Sequence, residues 1–79
     1  MTDDAMRALL EADPFEPFTV HMPHGADYDV ERPERAAISP HGGALYIYNA
    51  KGEWGAVLSL DHVAKITFPA KPYIRTNPS

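Results

Sequence analysis

The chain contains no cysteine. A disulfide framework, a thiolate zinc site and a cysteine nucleophile are therefore excluded, and the composition suits a reducing compartment. Long apolar runs are missing too: nothing approaches the roughly 20 residues that cross a bilayer as a helix. The opening Met1-Thr2-Asp3-Asp4 has the wrong charge for a signal peptide, which starts on a basic segment. The expectation is a soluble, cytoplasmic protein with no membrane partner.

Basic residues are scarce, seven Lys and Arg against eleven Asp and Glu, for a net charge of −4. That balance disfavours nonspecific nucleic-acid binding, which relies on cations neutralising phosphates. The charge is also uneven. Residues 1–34 hold nine acids and two arginines, a balance of −7, and residues 35–79 hold five basic residues and two acids, a balance of +3. Such polarity can orient an encounter with a charged partner or with another copy.

Motifs for covalent chemistry are lacking. Neither Ser39 nor Ser59 lies in a Gly-x-Ser-x-Gly elbow. Gly42-Gly43 is not followed by the Lys-Ser/Thr of a phosphate loop. No positioned base and no group to hold transition-state charge can be nominated. The reading is no enzyme, no catalytic residue and no cofactor. His21 and His24 form a His-x-x-His pair, but across the end of a strand and its turn. Residues i and i+3 of a strand point to opposite faces, and a zinc site would want further ligands such as Asp27 or His41. Exposed surface histidines are the simpler account, and no metal site is assigned. His62 beside Asp61 reads in the same way, as a pocket-lining or exposed ring next to a helix cap.

What is present is β chemistry. Ala44 to Leu60 holds two β-rich runs around Asn49-Ala50-Lys51-Gly52, with the one Trp and two of the four Tyr. Asn first and Gly fourth suit a type I turn closed by a left-handed residue. With a Gly bulge there, Asn49 faces Glu53 and Tyr48 faces Trp54. Continued regularly, that register places Tyr46, Tyr48, Trp54, Ala56 and Leu58 on one face and Leu45, Ile47, Gly55 and Val57 on the other. Both faces are then apolar, whereas a hairpin with one wet face alternates. Tyr46, Tyr48, Trp54 and Leu58 are the candidate interaction face, since Tyr and Trp are enriched at interfaces. The competing reading makes these aromatics core or rim packing.

Around this hairpin the chain reads in order. Thr2 or Asp3 caps a helix whose apolar stripe is Ala5, Met6, Leu9, Leu10 and Ala12, ending at Asp13-Pro14. Phe15-Glu16-Pro17-Phe18 is extended, its two rings placed to pin the helix to the core. Strands follow with Phe18, Val20 and Met22 inward, then Tyr28 and Val30 inward, joined by a turn at residues 23–27. Arg32-Pro33-Glu34-Arg35 breaks the second, residues 36–39 form a short third, and residues 40–43 turn into the hairpin. Asp61 caps a helical turn over residues 61–64, and a last strand over residues 65–68 has Ile66 and Phe68 inward. Residues 69–79 read as an irregular or disordered tail in which only Tyr73 and Ile74 are suited to dock.

The whole is one domain over residues 1–68, mainly β (α+β by count). A short N-terminal helix precedes about five antiparallel strands in a small SH3-like or Sm-like barrel or a strongly bent sheet. A chain of this length buries only about 60–65% of its unfolded surface.

Two resemblances attach to these residues. Phe15-Glu16-Pro17-Phe18 after Pro14, with Gly25, Val30, Pro33-Glu34 and the closing run from Leu58 to Ile66, resembles small uncharacterised bacterial proteins with a PFxPF segment. That likeness implies no activity and no catalytic residues. The order of elements, with Leu60-Asp61-His62-Val63-Ala64 before the last strand, is similar to the Sm-like fold. The Asp-x-x-Met-Asn-type loop and the Arg-Gly segment of Sm proteins have no counterpart here. The reading that follows is a protein-binding or self-associating module. The alternative is an Sm-like RNA binder that stacks bases on Tyr46, Tyr48 and Trp54 and meets phosphates with Lys51, Lys65, Lys71 and Arg75.

Overall fold

A computed structural model describes residues 1–49, 51 and 53–69, with Trp54 described through its backbone. Of the expected tail over residues 69–79, all but Pro69 lies outside the described residues. The helix α1 spans Asp3–Glu11. Strands β1 (Phe18–His21) and β2 (Asp27–Val30) follow, then β3 (Ala36–Ile38), β4 (Ala44–Tyr48), β5 (Trp54–Ser59) and β6 (Lys65–Thr67). Single 3-10 turns at Pro33–Arg35 and Leu60–His62 lead into β3 and out of β5.

The α1 start is built by its first residues. Thr2 Oγ1 accepts from the Ala5 N–H at 3.0 Å, which satisfies one of the donors that a helix leaves open at its N-terminus. Asp3 and Asp4 lie in the first turn, where negative charge opposes the helix dipole favourably. The helix stops at Glu11, and Ala12 is already extended, ahead of the proline that bars Asp13 from the helical region. Met6 is fully buried and Leu9 and Leu10 pack beside it, whereas Ala5 and Ala12, expected on the same stripe, are exposed, Ala12 past the helix end. Phe15 and Phe18 lie with ring centroids 6.0 Å apart, and Phe18 and Phe68 6.2 Å apart, both pairs tilted. Phe15 thus ties the segment after α1 to the core, as expected.

Six strands among the described residues make two three-stranded antiparallel sheets, ordered β2-β1-β6 and β3-β4-β5. The count is one more than the roughly five expected, and the sheets are not closed into a barrel. The first sheet keeps the expected inward set except at Phe68, which lies just past the end of β6 and is 46% exposed, although its ring meets that of Phe18. Phe18, Val20 and Val30 are fully buried, and Met22 is nearly so; Tyr28 and Ile66, the cross-strand partners of Val20, pack against them. Gly25, at φ +97°, lets the 22–26 turn close with Met22 N–H bonded to Ala26 O at 2.9 Å.

The second sheet departs from expectation at one residue. Asn49 faces Glu53 through a 2.8 Å backbone bond, and Tyr48 pairs with Trp54, the pairing expected around this turn; the left-handed conformation expected of Gly52 lies outside the described residues. The Asn49 side chain closes the turn by accepting from the Lys51 and Glu53 N–H groups at 2.9 and 3.1 Å. Beyond Trp54, however, Ile47 pairs with Ala56, which leaves Gly55 as an extra residue on β5. A bulge changes the parity of everything after it. Leu45 now faces Leu58, and Tyr46 faces Val57. Leu58 and Ala56 therefore join Leu45 and Ile47 on the core side, and Val57 moves out. The expected grouping of Leu58 with Tyr46 and Tyr48 is corrected: Leu58 is 5% exposed and Val57 50%.

The expected Asp61 cap is also corrected. The turn is Leu60–His62, with Ser59 at the cap position and no side-chain cap bond. One backbone bond, Val63 N–H to Leu60 O, and the burial of Leu60 hold it instead.

The 39–43 turn anchors the helix to the second sheet. Asp3 Oδ1 accepts from the Gly43 N–H at 2.9 Å. Gly42 and Gly43 have φ of +81° and +83°, and a Cβ on Gly42 would run into the Asp3 carboxylate, whereas one on Gly43 would meet nothing. Gly42→Ala is predicted to destabilise by more than the roughly 1–3 kcal/mol of a left-handed non-glycine residue, and Gly43→Ala by that strain alone. In Asp3→Ala the excess at Gly42 disappears; denaturant melts of the four variants measure this coupling. For the β5 register, Leu58→Ala is predicted to cost about 2–5 kcal/mol and Val57→Ala less than about 1 kcal/mol. The reverse order in urea titrations would restore the regular register.

Candidate functional site

The outer faces of the two sheets have opposite chemistry. On β3-β4-β5 the pairs Ala37–Tyr46–Val57 and Ala44–Ser59 point away from the core, and strand alternation adds Tyr48. Not one of these six residues is charged. Ala37, Ala44, Tyr46, Tyr48 and Ser59 are half-buried, and Val57 is the most open. The buried side chain of α1, Met6, belongs to the core on the other side of this sheet. A solvent-facing antiparallel face is ordinarily polar, so this one is unusual.

Of the residues singled out from sequence, Tyr46 and Tyr48 are on this face. Trp54 pairs with Tyr48 through the backbone. Leu58 sits behind the sheet in the core. Lys51 is exposed in the adjoining hairpin turn, and Lys65 is on the other sheet; Lys71 and Arg75 lie outside the described residues.

The outer face of β2-β1-β6 is polar and internally bonded. Cross-strand pairing sets His21 between Asp27 on β2 and Lys65 on β6, and Thr19 between Asp29 and Thr67. His21 Nδ1 is 2.8 Å from Asp27 Oδ1, and its Nε2 is 2.7 Å from Thr67 Oγ1. An ionised carboxylate only accepts, so Nδ1 carries the proton. In the neutral ring Nε2 is then a lone pair, and the Thr67 hydroxyl donates to it. Beside this chain Thr19, fully buried, donates its hydroxyl to Asp29 Oδ1 at 2.6 Å. The His21 and Asp27 side chains are 18% and 33% exposed.

Sequence inspection missed this linkage because Thr67 is 46 residues from His21 and only strand pairing brings them together. Alternation puts Thr19 and His21 on the face away from the core, but Thr19, expected to be open to solvent, is fully buried there between Asp29 and Thr67. Asp27 and Thr67 become their neighbours once the β1–β2 and β1–β6 registers are known. His24 is exposed in the 22–26 turn and does not join His21; His41 and His62 are exposed as well. Among the described residues no group of three or more His, Asp or Glu is placed to hold a metal ion. Ser39 is a turn residue whose hydroxyl donates to Gly42 O at 2.8 Å.

No protein-family model, curated protein or solved structure matches the chain.

Proposed function

We propose that this is a small non-catalytic β module that works by binding protein, other copies of itself included, through the outer face of β3-β4-β5. One observation carries the reading: an antiparallel sheet face with no charged residue, lined by Ala37, Tyr46, Tyr48 and a half-exposed Val57. An uncharged face costs little to desolvate, and its tyrosines combine apolar area with a polar tip, which suits an interface. The 3-10 turn between β5 and β6 is in keeping with the SH3-like or Sm-like expectation.

The second reading, an Sm-like RNA binder, is favoured by the same two tyrosines, since half-buried rings on a sheet face can stack bases. Against it stand the net charge of −4 and the absence of Lys or Arg from the face itself. A protein partner is the better match.

The test is the state of association in solution. Sedimentation velocity over a range of concentrations is predicted to show reversible self-association, abolished by Val57→Lys or Tyr46→Glu with the fold retained by circular dichroism. A wild-type chain that stays monomeric throughout contradicts self-association. Binding of single-stranded RNA that weakens steeply with salt, and is lost on Tyr46→Ala, would favour the rival.

A further inference from the structure

The Asp27–His21–Thr67 chain has the parts of an activated hydroxyl, and it lies on the sheet opposite the proposed docking face. A nucleophile needs a base within hydrogen-bond reach and a third group that orients the base. Here Thr67 Oγ1 lies 2.7 Å from His21 Nε2, to which its hydroxyl donates when the ring is neutral, and Asp27 Oδ1 lies 2.8 Å from the other ring nitrogen. Lys65 is the strand partner of His21 and shares the face of Thr67 two residues on. Lys65 is exposed, and its Cα lies about 7 Å along the strand from that of Thr67. Thr67 itself is only half-buried.

We propose that Thr67 is an acyl acceptor, a covalent modification site that takes one acyl group per chain from an activated ester. Thr67 Oγ1 bonds to the carbonyl carbon as its proton passes to His21 Nε2. The bond from that carbon to the leaving alkoxide or phenoxide breaks, and the proton goes on to the leaving group or to solvent. Asp27 is a positioning residue: it keeps the Nδ1 proton in place and stabilises the imidazolium that forms. The step needs no metal and no oxidant. It is stoichiometric, and it neither requires nor excludes the binding reading of the other sheet.

The probe is p-nitrophenyl acetate on the full-length chain, with peptide mass spectrometry locating the acetyl group. Thr67 ester is scored against Lys65 amide in the same molecules, so that any general loss of reactivity cancels. The native chain is predicted to carry acetyl on Thr67, and the urea-unfolded chain to lose that selectivity. His21→Gln and Asp27→Asn are predicted to lower the Thr67-to-Lys65 ratio by about tenfold or more, within the range that a positioned base contributes. Thr67→Ser should retain labelling and Thr67→Val should abolish it at that position. Acetyl confined to lysines and the amino terminus of the native chain overturns the proposal, and that comparison needs no variant to fold. A ratio unchanged in both His21→Gln and Asp27→Asn would overturn it equally.

Discussion

The extra residue at Gly55 sets the chemistry of the second sheet. With Tyr48 opposite Trp54, a regular ladder would carry Leu58 outward and Val57 inward. One unpaired residue reverses this, and Leu58 meets Leu45 inside the core while Val57 meets Tyr46 outside. The energetic reason is plain: a leucine buries more apolar surface than a valine, and each buried methylene contributes about 0.8 kcal/mol. Glycine suits the position because a bulge bends the strand and has no ladder partner. A Cβ at Gly55 would meet nothing nearer than Ile47 O at 3.7 Å, so the bulge follows from the pairing on both sides of it and not from a steric need for glycine.

From that constraint follows the contrast between the two outer faces. On its outer face the first sheet carries a fully buried Thr19 with His21, Asp27, Asp29 and Thr67, linked across strands as Thr19–Asp29 and Asp27–His21–Thr67, with Lys65 exposed beside them. That face is self-sufficient in water. The second turns out alanine, tyrosine and valine with no charge among them. The helix does not cover it, because Met6 is committed to the core and Asp3 ties the helix start to the 39–43 turn. One small fold thus presents a polar, internally linked surface on one sheet and an apolar one on the other.

Much of this was legible in the residues. The capping Thr2, the break before Pro14, the alternation from Phe18 to Met22, the Gly25 turn and the pairing around Asn49 all follow from local chemistry, which acts over a few positions. Three features were not. The bulge at Gly55 depends on what Leu58 gains on the far side of the sheet, which no window around Gly55 contains. The His21–Thr67 bond depends on β6 returning beside β1, a choice made by the whole topology. The division into two sheets rather than a closed barrel depends on how strands from both halves meet. Tyr46 and Tyr48 were placed correctly as neighbours on one face, because they precede the bulge on the strand that stays regular; Leu58, which follows it, was not.

The register of β4 against β5 carries the account, and nuclear Overhauser contacts across that ribbon read it directly. Contacts between Leu45 and Leu58 and between Tyr46 and Val57 are the predicted result. Contacts pairing Leu45 with Val57 and Tyr46 with Ala56 would contradict it, returning Leu58 to the outer face and removing Val57 from the proposed interface.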